Sequence, residues 1–174
     1  DLLVPGYFEL PMKKGESIIF SAGVTEVKTA TLKATWKKEL ERRNRREDMF
    51  STLKNSASQF YKREGDKCYL LAGFPWFKAD ARTTFFSVAS CTLDIDRPEY
   101  WDAIINKTAI EEILKFMNGR GNEIKMSGMD EPGVLLWFIR ACQKFAHKYT
   151  VRETADLYGQ LCLDIINWYR KQNH

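Results

Sequence analysis

This sequence predicts a mainly α-helical chain that opens with a short β-hairpin, and three observations carry the prediction. Two β-prone runs stand at the start, apolar residues recur with a period near 3.6 from residue 28 onward, and a dense aromatic loop interrupts that helical pattern near the middle. The 174 residues suffice for a domain with a sizeable core, and a hydrophobic content of 44% is that of an ordinary globular protein. Antiparallel helical hairpins with wide apolar faces, joined by loops that carry the polar and aromatic residues, suit part of an α/α toroid.

The elements follow in order. Residues 7–12 and 17–23, rich in Phe, Tyr and Ile, flank Lys13-Lys14-Gly15-Glu16, whose glycine can take the positive φ of a tight turn; together they read as the β-hairpin. Alone such a hairpin is marginal, so it must pack on helices or lie loose. Leu32, Trp36 and Leu40 place a narrow apolar stripe on a helix over 28–46. A second helix is expected over 48–64, capped by Asp48 or Ser51 and ended by Gly65, with Cys68 to Leu71 as an extended link. Beyond the aromatic loop come helices over 81–92 and 99–118, a polar break from Asn118 to Met129 containing three glycines, and a helix over 132–148 with Pro132 in its first turn. The last helix, 152–171, has Thr150 as cap and Glu153 three residues on, a capping-box pattern. Residues 1–27 are thus assigned to the β-hairpin, and 28–174 to the helical domain.

Composition narrows the function classes. A net charge of +4 and pI near 8.8 come largely from residues 33–46, where Glu39, Glu41, Glu47 and Asp48 intersperse the cations, so a solvated, self-paired helix face outweighs a nucleic-acid surface. No apolar run approaches 18 residues and no leader pattern is present, which leaves a cytoplasmic location as the default and no membrane partner. Cys68, Cys91, Cys142 and Cys162 are far apart, each among mostly apolar neighbours, and the histidines are His147 and His174. That spacing suits no zinc site, so no metal and no cofactor are expected, and the cysteines read as reduced core thiols.

The stretch from Ala72 to Phe86 is the place for chemistry. Gly73, Phe74, Pro75, Trp76 and Phe77 crowd three rings, a proline and a glycine into five positions, the composition of an irregular loop. Asp80 can cap the following helix, whose first turn holds Arg82. Rings that stack on the apolar face of a pyranose, beside a guanidinium that donates to its hydroxyls, make a sugar-binding surface. The alternative is that Phe74, Trp76 and Phe77 plug the core beside a helix end.

Ala72-Gly73-Phe74-Pro75-Trp76-Phe77, then Arg82 and Thr84, resembles the A-G-[YF]-P-W-F-x-x-x-[GA]-R-D-T signature of glycogen debranching enzymes of the amylo-α-1,6-glucosidase type. Upstream, Pro5 to Leu10 and Gly15 to Gly23 resemble the end of that family's N-terminal β-domain; downstream, Leu135-Leu136-Trp137-Phe138-Ile139-Arg140-Ala141 resembles its L-W-F-I-x-A helix. The matches fall in family order and span most of the chain. The resemblance implies an (α/α)6 toroid behind a β-domain, of which the opening helix pairs stand here, and α-1,6 branch linkages of glycogen or a related α-glucan as substrate. It implies Phe74, Trp76, Phe77, Asp80 and Arg82 as substrate-binding residues. It also implies no complete catalytic pair in this chain, because the family's principal acids lie later, so the chain by itself is expected to be inactive and reads as a piece of a longer protein.

Two departures matter: Thr83 stands where the signature has Asp, and Gly133 where an acid often precedes the L-W-F core. Asp80 or Asp130 could substitute from neighbouring positions, although a capping or loop role also accounts for each. The second reading of the chain is accordingly a non-catalytic helical module that binds glucan or a protein partner. Half a toroid also leaves apolar helix faces unpartnered, and such patches favour self-association or looseness.

Overall fold

Gly15, at φ 90°, turns the chain where the sequence places a tight turn: the Glu16 amide donates to the Lys13 carbonyl at 3.0 Å, and the Lys13 amide donates to the Glu16 carboxylate at 2.9 Å. The computed structural model describes residues 6–43, 45–74 and 76–172, which divide into two units, Asp1–Arg45 and Arg46–His174. In the first unit the expected N-terminal β-hairpin is corrected. The Phe8 and Phe20 rings face each other across the turn at 5.8 Å, but residues 7–12 and 17–23 carry no ladder. The physical reason is burial: nearly every residue from 6 to 31 is exposed, and two strands with no covered face cannot offset the entropy of ordering them. Helix α1, Leu32–Arg42, follows a single 3-10 turn. Trp36 and Leu40 remain about half exposed on it, while Met12, Ile18 and Ile19 share an open depression with Lys33 and Trp36. The charge mixture pairs as anticipated: Glu39 accepts from Arg42 and Arg43 at 2.7 to 2.8 Å, and these guanidinium groups lower its carboxyl to about 2.

The second unit holds the core. Helix α2, Met49–Ala57, begins with a reciprocal box in which the Ser51 amide donates to Asp48 Oδ1 at 2.7 Å and the Asp48 amide donates to Ser51 Oγ. It ends at Ala57 instead of running to residue 64, and this is the second correction. After the 3-10 turn Ser58–Phe60, strand β1, Tyr61–Glu64, pairs antiparallel with β2, Lys67–Leu70, across Gly65-Asp66. Gly65 at φ 65° permits the two-residue turn. Unlike the N-terminal runs, this hairpin has a face to bury: Cys68, Tyr69 and Leu70 are all in the core.

Helix α3, Ala81–Thr92, leads to a second helical run made of α4, Pro98–Trp101, a π-helical stretch, Asp102–Ala109, and α5, Ile110–Met117. The π stretch has an identifiable anchor. Thr108 Oγ1 donates to the carbonyl of Ala103, five residues back, and accepts the Cys68 amide of β2 at 3.1 Å, so the wider helical turn is matched to the strand beside it. Helix α6, Val134–Lys148, starts two residues later than expected, after Gly133 at φ 72°, which leaves Pro132 outside the helix. Thr150 caps α7, Val151–Gln172, its Oγ1 accepting the Glu153 amide at 3.1 Å, but the Glu153 carboxylate accepts the Thr150 hydroxyl at 2.7 Å instead of the backbone amide, so only the first half of the expected capping box forms.

Helix α3 packs on α6, and α6 on α7; the two-residue connection from Lys148 to Val151 makes the last pair antiparallel. Their contact is aromatic. Phe85 meets Phe138 edge-on at 5.7 Å, Phe138 meets Tyr158, and Trp101 stacks on Phe145 while its indole N–H donates to the Tyr158 hydroxyl at 2.9 Å. The protein is therefore mainly helical with one small antiparallel sheet among the described residues, and none of the helices there is long and apolar enough to cross a membrane.

Candidate functional site

The aromatic loop is a projecting loop closed at its neck. An isolated bridge pairs Leu71 with Ala79, the Ala72 amide donates to the Lys78 carbonyl at 3.1 Å, and the Phe77 amide donates to the Gly73 carbonyl at 2.9 Å. Gly73 has a steric reason to be glycine: a Cβ there would stand 2.7 Å from the Phe77 ring. With the neck fixed, the rings point outward. Phe74 is 55% exposed, Phe77 65% and Trp76 86%, so they do not plug the core. Pro75 lies outside the described residues.

The chain then enters α3. Asp80 caps it, Oδ1 accepting the Thr83 amide at 2.8 Å, and at the same point a second segment is zipped to the loop's end. The Ala81 amide donates to the Ser127 carbonyl at 2.9 Å and the Ser127 amide to the Ala79 carbonyl at 3.1 Å, a short parallel bridge between residues almost fifty apart in sequence. This bridge carries Gly128 against Asp80. At φ 69°, a Cβ on Gly128 would fall 2.6 Å from Asp80 Oδ2 and 3.2 Å from Glu131 Oε1, so only glycine fits. The two carboxylate oxygens consequently lie no more than about 6 Å apart. Arg82 completes the group: its Nε donates to Glu131 Oε2 at 2.7 Å and its Nη2 to the Pro132 carbonyl at 3.4 Å.

Glu112 holds this arrangement from behind. Its carboxylate, 3% exposed, accepts the Tyr69 hydroxyl at 3.1 Å, the Lys125 amide at 3.1 Å and the Met126 amide at 2.9 Å. Three donors satisfy the buried carboxyl group and fix the backbone that leads into Ser127 and Gly128. Beside it is a cavity of about 490 Å³ lined by Lys78, Phe116, Lys125, Met129 and Asp130, among others.

Each residue singled out from sequence therefore has a definite place. Phe74, Trp76 and Phe77 are on the exposed loop; Asp80 and Arg82 are at the helix start that the loop runs into, and Asp80 combines the cap with a carboxylate oxygen beside Gly128. Asp130 does not join Arg82 but lies exposed on the cavity rim, whereas its neighbour Glu131, which the sequence did not single out, supplies Arg82 with its acid. Thr84 of the signature is buried, its hydroxyl donating to the Leu70 carbonyl at 3.4 Å, so its role is to seat α3 on β2. Glu112, Ser127 and Gly128 were also missed. The glycine in a polar break was the one available signal, since a positive-φ glycine often marks a close approach.

Chemically the group offers a planar cation, two carboxylates as hydrogen-bond acceptors, and exposed aromatic faces on the adjoining loop. Such a set can donate to and accept from hydroxyl groups, and the rings can stack on an apolar ring face. Among the described residues no three His, Cys, Asp or Glu side chains converge as a metal ion would require. No family model, curated protein or solved structure matches the chain.

Proposed function

We propose that this chain forms the substrate-holding part of an α-1,6-glucosidase of the glycogen-debranching type, with the helical unit as the opening helix pairs of an (α/α)6 toroid. The observation that carries the proposal is the joining of the two motif-bearing segments: Arg82, from the aromatic-loop signature, is paired with Glu131, which lies just before the L-W-F helix. In this reading Phe74, Trp76 and Phe77 stack on glucosyl rings, Arg82 donates to hydroxyls, and Asp80 and Glu131 accept from them. Glu131 takes the place of the acid that Thr83 and Gly133 lack.

A specific observation favours the alternative of a glucan-binding module without hydrolytic activity. Asp80 already commits one oxygen to the Thr83 amide and Glu131 commits one to Arg82, so both act as fixed acceptors instead of a free general acid and base. One experiment addresses both readings. The purified 174-residue chain is titrated with maltoheptaose and with a limit dextrin, and glucose release from the dextrin is followed alongside. Weak saturable binding, lost in Arg82→Ala, and no glucose above a heat-killed control are the expected results. Absence of glucan binding overturns the proposal, and glucose release by the chain alone overturns the assignment of Asp80 and Glu131 as binding groups only.

A further inference from the structure

The strongest unassigned feature lies elsewhere in the helical unit. Between α6 and α7 there is an open cavity of about 530 Å³ with a largely apolar lining that includes Ile139, Ala146, Val151 and Ala155. Cys142 from α6 and Cys162 from α7 both line it, and neither is in a disulfide. Cys142 is buried, and Cys162 is half-buried at the cavity wall. Twenty residues separate them in sequence, yet the pairing of the two helices brings the thiols to one site.

The two thiols also differ in character. The neighbouring Cys142 thiol holds the Cys162 thiol below its ordinary value of 9.0, while the Cys162 thiol and burial push Cys142 up. Cys68 and Cys91 have no such partner thiol, and burial raises both, Cys68 to about 11. The thiolate is the reactive form, so of the two thiols that line the cavity Cys162 is the one that loses its proton first.

We propose that Cys162 and Cys142 form a covalent modification site for small hydroperoxides that enter the cavity between α6 and α7. The Cys162 thiolate attacks one peroxide oxygen; the S–O bond forms as the O–O bond breaks, the leaving hydroxide takes up a proton, and Cys162 becomes a sulfenic acid while the peroxide is reduced to water or an alcohol. The Cys142 sulfur, giving up its proton, then attacks the Cys162 sulfur; the S–S bond forms, the S–O bond breaks, and water leaves. The sum is two thiols oxidised and one peroxide reduced, and a dithiol reductant reverses it. The product is a staple between α6 and α7.

The test uses the reduced 174-residue chain with hydrogen peroxide at limiting concentration, quenched by alkylation and mapped by mass spectrometry. The expected product is a cross-linked pair of peptides containing Cys142 and Cys162, about 2 Da lighter than the reduced pair, with Cys68 and Cys91 still alkylated as free thiols. Alkylation of the untreated protein should label Cys162 at least about tenfold faster than Cys68 or Cys91. In Cys142→Ser, checked for fold by circular dichroism, oxidation should stop at a dimedone-reactive sulfenic acid on Cys162. Equal labelling rates for Cys162 and Cys68 overturn the proposal without any variant, as does peroxide oxidation that leaves the Cys142–Cys162 peptide pair unlinked.

Discussion

Trp76→Ala separates a sugar platform from a core plug. Truncating a fully buried large aromatic residue costs about 3–5 kcal/mol. Trp76 is 86% exposed, so only about one seventh of it is covered, and scaling the cost by that fraction leaves about 0.5 kcal/mol. In a domain of this size such a loss lowers Tm by about 2 °C. On the binding side, a ring stacked on a pyranose contributes on the order of 1 kcal/mol, so its removal should weaken maltoheptaose binding about fivefold. Stability is best read by urea unfolding followed with far-UV circular dichroism, because the chain has 5 tryptophans and fluorescence mixes them. Affinity is read by calorimetric titration. Trp101, buried to 2% exposure and bonded to Tyr158, is the contrasting control, since Trp101→Ala should show the full core penalty and leave the loop intact. A loss above about 2 kcal/mol for Trp76→Ala would place the ring in the core and refute the exposure argument. Unchanged maltoheptaose affinity would refute the platform.

Two further outcomes follow from the geometry behind the loop. Glu112→Ala removes the acceptor of three buried donors and should destabilise the protein by on the order of 3–5 kcal/mol, with faster amide exchange at Lys125 and Met126; a change under about 1 kcal/mol in urea unfolding would show that water replaces the carboxylate. Glu111 is held at about 2, below its ordinary 4.5, by the Lys115 and Lys67 ammonium groups, so its pairing stabilises the fold above pH 4.5 and is lost as pH falls through about 2. Glu111→Gln should therefore lose less stability than wild type between pH 4.5 and 2, and parallel acid-unfolding curves would contradict this.

What could be read from the sequence is what short-range physics decides. The helix starts at Asp48, Asp80 and Thr150 are satisfied by side chains and amides three residues apart, and the apolar period that sets the buried faces of α3, α6 and α7 is a property of each helix alone. The exposed loop of Phe74, Trp76 and Phe77 was visible as composition, although not its outward direction. Strand formation was misjudged in both places for one reason: a strand is stable only when something covers it. The Tyr7 and Phe20 runs have β-prone residues but no covering surface, whereas Tyr61–Leu70 has Thr108 and Glu112 behind it, and its Gly65-Asp66 turn was a local signal masked by the helical period leading up to Phe60. The tertiary structure alone decided that Glu131 and not Asp130 meets Arg82, 49 residues away, and that Cys142 and Cys162 line one cavity. Those pairings depend on how α3, α6 and α7 stack and on a glycine-permitted approach at Gly128, and no periodicity within a single element records which side chains of different elements will face each other.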